Sequence, residues 1–124
     1  MIAEKVLTTQ EVANRFHEMA QKGEWAKIQE ELYAENAVSI EPEGVPGLKS
    51  VEGLDAIKKK GDEFNAMVEE VHGGFSHEPI VCGNHFAVAM GLDATMKGIG
   101  RTKMDEIAVY QVRDGQIVKE QFFF

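Results

Sequence analysis

The chemistry this chain can offer centres on three glutamates. Glu41 stands immediately before Pro42 at the end of the segment AVSIEP (37 to 42), and Glu106 and Glu120 stand inside the β-branched and aromatic run that closes the sequence. Carboxyl groups gathered on an oily surface lose hydration and repel one another. At least one is then held protonated toward neutral pH, which suits a group that passes a proton to or from a carbon acid. Other arrangements use the same residues: Glu106 or Glu120 can bond a tyrosine, a histidine or the backbone and merely close a pocket, or a different turn register can leave Glu120 in water. Tyr110 either donates to a ligand carbonyl or sits in the core with its hydroxyl satisfied. His17 lies beside Phe16 on the inward side of the first helical stretch, and His77 adjoins Glu78. No HxH, HxxxH or HExxH spacing points to a metal, and Gly98-Ile99-Gly100 is a turn with no helix after it to cradle a phosphate. The expectation is a site with no metal and no cofactor.

The elements that must position these residues start with a C-terminal hairpin (102 to 124) around Asp114-Gly115. Two registers fit: a two-residue type I′ turn, or a three-residue loop with Gly115 as a bulge. One residue of slip exchanges the faces. The preceding segment (85 to 96) alternates Phe86, Val88, Met90, Leu92 and Ala94 against small or polar residues, so its apolar face is defined. Pairing across the turn at 97 to 101 then sets Leu92 beside Glu106, Met90 beside Ala108 and Val88 beside Tyr110. The inward face continues through Met104, Glu106, Ala108, Tyr110 and Val112 and, with the bulged turn, through Val118, Glu120, Phe122 and Phe124.

Upstream, Thr8-Thr9-Gln10-Glu11 has the form of a capping box, and Val12, Phe16, Met19 and Ala20 recur at helical spacing up to Lys22, with Gly23 as the stop. A second helix from Glu24 presents Trp25, Ile28 and Leu32 to the core. A short strand ends at Pro42, and Gly44 and Pro46 make the next stretch a loop and a potential mouth. A third helix, starting between Ser50 and Gly53, carries Leu54, Ile57, Phe64, Met67, Val68 and Val71 inward, with Lys58-Lys59-Lys60 as a solvated face. Residues 75 to 82 form a strand that turns at Gly83-Asn84, and Cys82 in it is a small buried hydrophobe. The order predicts an α+β fold, with helices on one face of a curved, mainly antiparallel sheet.

A chain of 124 residues is one domain, spanning 1 to 124, that buries roughly two-thirds of the surface its unfolded form exposes. The net charge of -8 argues against nucleic acid or an anionic membrane as partner. One cysteine cannot form an internal disulfide, which fits a reducing compartment. Glu4 and Lys5 precede any apolar run, so the start lacks a signal-peptide pattern, and a cytoplasmic location is expected.

Four stretches, GEW (23 to 25), YAENAVSIEP (33 to 42), VEGLDAIKKK (51 to 60) and VYQVRDGQIVKEQFFF (109 to 124), taken in this order and spacing, resemble the nuclear transport factor 2-like (NTF2-like) superfamily. The C-terminal form is most similar to its SnoaL-like branch, relatives of polyketide cyclases and ketosteroid isomerase. The resemblance covers essentially the whole chain. It implies a cone-shaped, cystatin-like α+β barrel in which a curved sheet packs against three N-terminal helices around an apolar pocket. It also implies homodimers through the outer sheet face, which here carries Ile107, Val109, Ile117 and Phe123 beside Ala87, Ala89 and Gly91. In ketosteroid isomerase a carboxylate just before a proline is the general base, and Glu41 occupies that position. The two oxyanion donors of that enzyme fall at Phe16 and Ala108, neither of which can donate a side-chain hydrogen bond. The Asp-Arg-Asp set of the superfamily's epoxide hydrolases is not evident. The expected ligand is a small hydrophobic, carbonyl-containing molecule, with Phe16, His17, Val88, Met90, Tyr110, Phe122 and Phe124 lining its pocket and Glu41, Glu106 and Glu120 acting on it. The alternative is a ligand-binding or dimerisation module without turnover.

Overall fold

A computed structural model describes residues 6–45 and 48–124. Glu4 and Lys5, on which the signal-peptide reading rests, and Pro46 of the loop lie outside the described residues.

The chain runs α1 (Thr9–Gln21), α2 (Trp25–Leu32), β1 (Tyr33–Ile40), β2 (Val51–Glu52), α3 (Leu54–Met67), β3 (Val68–Ser76), β4 (Ile80–Cys82), β5 (His85–Met96), β6 (Gly100–Arg113) and β7 (Gln116–Phe123). The strands form one seven-stranded sheet in the order β2-β1-β7-β6-β5-β3, with β4 also paired to β5. All pairings are antiparallel except β1 with β7, which is parallel. The fold is thus α+β, with three helices against a curved, mostly antiparallel sheet. None of the described helices is long and apolar enough to cross a membrane.

Local signals are realised where the sequence writes them. The Thr8 side chain accepts from the Glu11 backbone N–H while the Glu11 carboxylate accepts from the Thr8 N–H, so the capping box opens α1. Gly23, with φ of 71°, takes the chain out of that helix. The core gathers Val12, Phe16 and Met19 of α1, Ile28 and Leu32 of α2 and Ile57 of α3 over Phe86, Val88, Tyr110 and Ile117 of the sheet.

The strand register differs from expectation by two residues. Met90 lies opposite Glu106, Val88 opposite Ala108 and Phe86 opposite Tyr110, because the turn is confined to Lys97–Ile99 and Met96 already pairs with Gly100. A shift of two leaves every side chain on its expected face.

The last hairpin combines the two registers the sequence left open. Asp114 and Gly115 both have positive φ, as a type I′ turn requires, and Arg113 pairs with Gln116. One step further in, Val112 pairs with Ile117 but Gln111 with Lys119, so the extra residue, Val118, is a bulge inside the strand. Ile117 therefore turns into the core at 0% exposure instead of onto the outer face, and beyond the bulge Glu120 is also inward.

Other expectations are corrected. β1 starts at Tyr33, four residues before the expected Ala37, because its parallel partner β7 extends the pairing back to Tyr33. The α3 helix ends at Met67; Val68 and Val71 lie in β3, paired to Met96 and Ala94, and Val71 is exposed. Their β-branched side chains suit a strand, and pairing with β5 satisfies their backbone. The 75 to 82 strand is two strands, β3 and β4, separated by residues 77–79. Trp25 is 43% exposed, with its ring edge-on to Phe16 at 6.0 Å, and Cys82 is exposed on the short strand β4.

Candidate functional site

The inner face of β6 and β7 presents Tyr110 opposite Glu120 and Ala108 opposite Phe122, with Glu106 next in line on β6. On the other side of β7, Ser39 of β1 is the partner of Glu120. A row of polar side chains therefore crosses three strands inside an apolar fold.

Glu120 is 5% exposed, and both of its oxygens are engaged: one accepts from the Tyr33 hydroxyl, the other from Ser39 Oγ at 2.6 Å. Burial pushes its pKa above the usual carboxylate value, while the Ser39 and Tyr33 hydrogen bonds and the Lys60 charge pull it back. Tyr33 and Tyr110 are both held well above the ordinary phenol value, first by burial and then by the Glu120 charge, so both remain donors.

From α3, Lys60 reaches down to Ser39 Oγ at 2.6 Å and to Glu41 Oε1 at 2.9 Å. Neither partner of the ion pair is free in water: the Lys60 and Glu41 side chains are 17% and 8% exposed. The ammonium also stands over the Phe122 ring, 5.7 Å from its centroid. Glu106 completes the group. Its pKa is raised from 4.5 to about 7, first by burial, then by the charges of Glu41 and Glu120, and opposed by Lys60.

The structure places Glu41, Glu106, Glu120 and Tyr110 within reach of one another's charge, and adds Lys60, Ser39 and Tyr33. Lys60 overturns the solvated-face reading of the lysine run. The signal for it was present: Ile57, Lys60 and Phe64 share one face of α3 at helical spacing. Ser39 was legible as the inward residue two before Glu41. Nothing in the sequence foretold Tyr33, which depends on the parallel β1–β7 pairing.

The expected lining residues divide. Phe16, Phe86 and Tyr110 pack ring against ring, with centroids 4.7 to 5.4 Å apart, and are at most 2% exposed. Val88 and Met90 are buried beside them, and Phe122 packs against this core from the Lys60 side. His17 is drawn away from the carboxyls: its ring meets Gln21, whose amide donates to the Ser76 carbonyl at the α1–β3 seam. Phe124 follows the end of β7 and is 59% exposed, so it does not reach the interior. A concavity of about 300 Å³ opens on the outer side of the sheet, between Phe75, Gly91, Asp93, Lys103 and Asp105. Among the described residues no three His, Cys, Asp or Glu side chains are placed to hold a metal ion.

A family model for the SnoaL-like domain matches residues 7–124. The chain belongs to the SnoaL-like family. A Mesorhizobium loti protein of known structure, described provisionally as a SnoaL-like polyketide cyclase, is 33% identical, with 95% of this chain and 100% of that one aligned and a TM-score of 0.88. A Xanthomonas campestris protein with a cystatin-like fold aligns over 94% of this chain and 90% of its own at 14% identity and a TM-score of 0.77. A Catenulispora acidiphila protein with a ketosteroid isomerase-like fold, solved with trimethylamine, aligns over 94% and 87% at 17% identity and a TM-score of 0.69. The last two share the fold alone. No curated protein matches the sequence. The SnoaL-like fold of this chain is compatible with ligand binding and with isomerase or cyclase chemistry.

Proposed function

We propose that this SnoaL-like chain binds a small hydrophobic carbonyl compound on the inner face of its cone, without a cofactor, and moves a proton on it through Glu106. The observation that carries the reading is a partly buried carboxyl with a pKa of about 7, set among Glu41, Glu120 and Lys60. A group that is half protonated near neutral pH both gives and takes a proton readily, as isomerisation or cyclisation of a carbonyl compound requires. The proton carrier is Glu106 rather than Glu41, because Glu41 is committed to the Lys60 ion pair.

Solvent deuterium exchange tests this. Tetralone and isophorone, incubated in heavy water with the protein, are expected to gain deuterium beside the carbonyl at a protein-dependent rate that falls about 100-fold or more in Glu106→Gln. Ketones that bind but exchange no faster than in buffer would leave the second reading, a binding module without turnover. That reading is favoured by Phe16 and Ala108, which offer no side-chain donor, and by the close packing of the aromatic core.

A second copy of the chain belongs to the same proposal. Ile107, Phe123 and Phe75 stand on the outer face of the sheet at 51%, 48% and 43% exposure, and a second copy seated there would take them out of water. Sedimentation is expected to give a dimer for the native chain and a monomer for Ile107→Asp. A monomeric native chain at micromolar concentration would end the dimer reading.

A further inference from the structure

Lys60 carries a hydrogen-bonding capacity that its protein partners do not exhaust. An ammonium has three N–H groups. Among the described residues two make short bonds, to Ser39 Oγ at 2.6 Å and Glu41 Oε1 at 2.9 Å, while the third approaches only the Lys49 carbonyl, at 3.4 Å. That last distance is beyond the usual range for N–H···O. The side chain is nonetheless held in place, since Ser39 is fixed in β1 and itself bonded to Glu120.

Its position relates it to Glu106. Lys60 stands over Phe122, Phe122 lies opposite Ala108, and Ala108 is followed on the same face of β6 by Glu106. The ammonium and the carboxyl therefore flank one short strip of the inner face, and the Lys60 charge is felt at Glu106. Ala108 and Phe122 have no side-chain donor between them. Negative charge developing on a ligand oxygen in that strip would meet the Lys60 ammonium.

We propose that Lys60 binds the carbonyl oxygen of an enolisable ketone whose α-carbon lies at Glu106, and that it selects compounds able to become enolates. The inference rests on the proton-transfer reading of Glu106. In the step, ionised Glu106 takes the α-proton as the C–H bond breaks, the freed pair forms the carbon–carbon double bond, and the carbonyl pair moves to oxygen. Charge is conserved: it leaves the carboxylate and appears on the oxygen that accepts from Lys60. Return of the proton to the α-carbon restores Glu106 and the ketone, and in a β,γ-unsaturated ketone, whose enolate is extended to a dienolate, return to the γ-carbon restores Glu106 and gives the conjugated isomer. The Lys49 carbonyl is the weak contact the ligand oxygen displaces.

The test uses two probes, with Cys82 kept reduced: dimedone, a cyclic diketone that is an enolate at neutral pH, and isophorone, a neutral ketone of similar size. Titrations followed by NMR on the native chain, Lys60→Met and Lys60→Arg are expected to show native binding of both. Lys60→Met should weaken dimedone about 10- to 100-fold but isophorone, whose neutral oxygen gains less from the ammonium, only about 2- to 5-fold, and Lys60→Arg should largely restore both. Retained isophorone binding demonstrates that the variant folds. Absence of dimedone binding by the native chain, equal loss of both probes in Lys60→Met, or loss of neither overturns the assignment. Exchange into isophorone separates the two ideas. A native rate in Lys60→Met with loss in Glu106→Gln removes Lys60 and keeps the proton carrier, whereas a native rate in Glu106→Gln removes the carrier and the enolate chemistry with it.

Discussion

Phe16→Ala is expected to cost about 3–5 kcal/mol of stability, the range for removing a buried ring and leaving its cavity. Phe16 is 1% exposed and meets three rings at once: Tyr110 at 4.7 Å, Phe86 at 5.4 Å and Trp25 at 6.0 Å between centroids. These partners come from β6, β5 and α2, so collapse into the cavity would require helices and sheet to move together, and the loss stays near the upper end. At about 3–5 °C per kcal/mol for a domain of this size, the melting temperature should fall by about 10–20 °C. Trp25→Ala is the control. Trp25 is the larger residue but 43% exposed, and its removal should cost only about 1–2 kcal/mol. If calorimetry finds Trp25→Ala as damaging as Phe16→Ala, then burial of the Phe16 ring does not set the larger share of the seam between α1 and α2.

What was legible in the sequence was local. The capping box at Thr8 and Glu11 closes within a single turn of helix, and the alternation from Phe86 to Ala94 fixes its own inward face. Even a pairing wrong by two residues left Glu106 and Tyr110 pointing inward, since the strand period is two. Contacts between distant segments were not legible. Tyr33 meets Glu120 only because β1 adds in parallel beside β7, a pairing between segments some eighty residues apart that no local pattern encodes. The bulge at Val118 is similar. Composition fixed a turn at Asp114-Gly115, but only packing of Ile117 into the core decided where the extra residue would be absorbed. Lys60 was hidden by its neighbours: a lysine run reads as solvated, and the inward member of it is identified only by following the Ile57–Phe64 stripe through the run.

The Glu106 carboxyl makes a prediction that opposes its proposed use: Glu106→Gln should be more stable than the native chain at about pH 8 and no more stable at about pH 4. Glu106 holds its proton more tightly when folded, with a pKa of about 7 against an ordinary 4.5. Between these values the folded state binds more protons than the unfolded state, so the contribution of this group to stability falls as pH rises. Below about 4.5 there is no penalty; above about 7 the penalty is complete. At about 1.4 kcal/mol per pH unit the whole interval would correspond to about 3 kcal/mol, and because Glu106 is only partly buried, screening by solvent brings this to about 1–2 kcal/mol. The net charge of -8 also makes stability depend on pH, so the quantity to measure is the difference between native and Glu106→Gln in urea midpoints across pH. That difference should open between about pH 5 and 7 in favour of the variant and then level off. A flat difference would mean that Glu106 titrates like a free glutamate, which would remove the carboxyl poised at neutral pH on which the proton-transfer reading depends. The expected rise would instead mean that the chain holds a charge where folding alone would not place one, as a site that trades stability for proton transfer must.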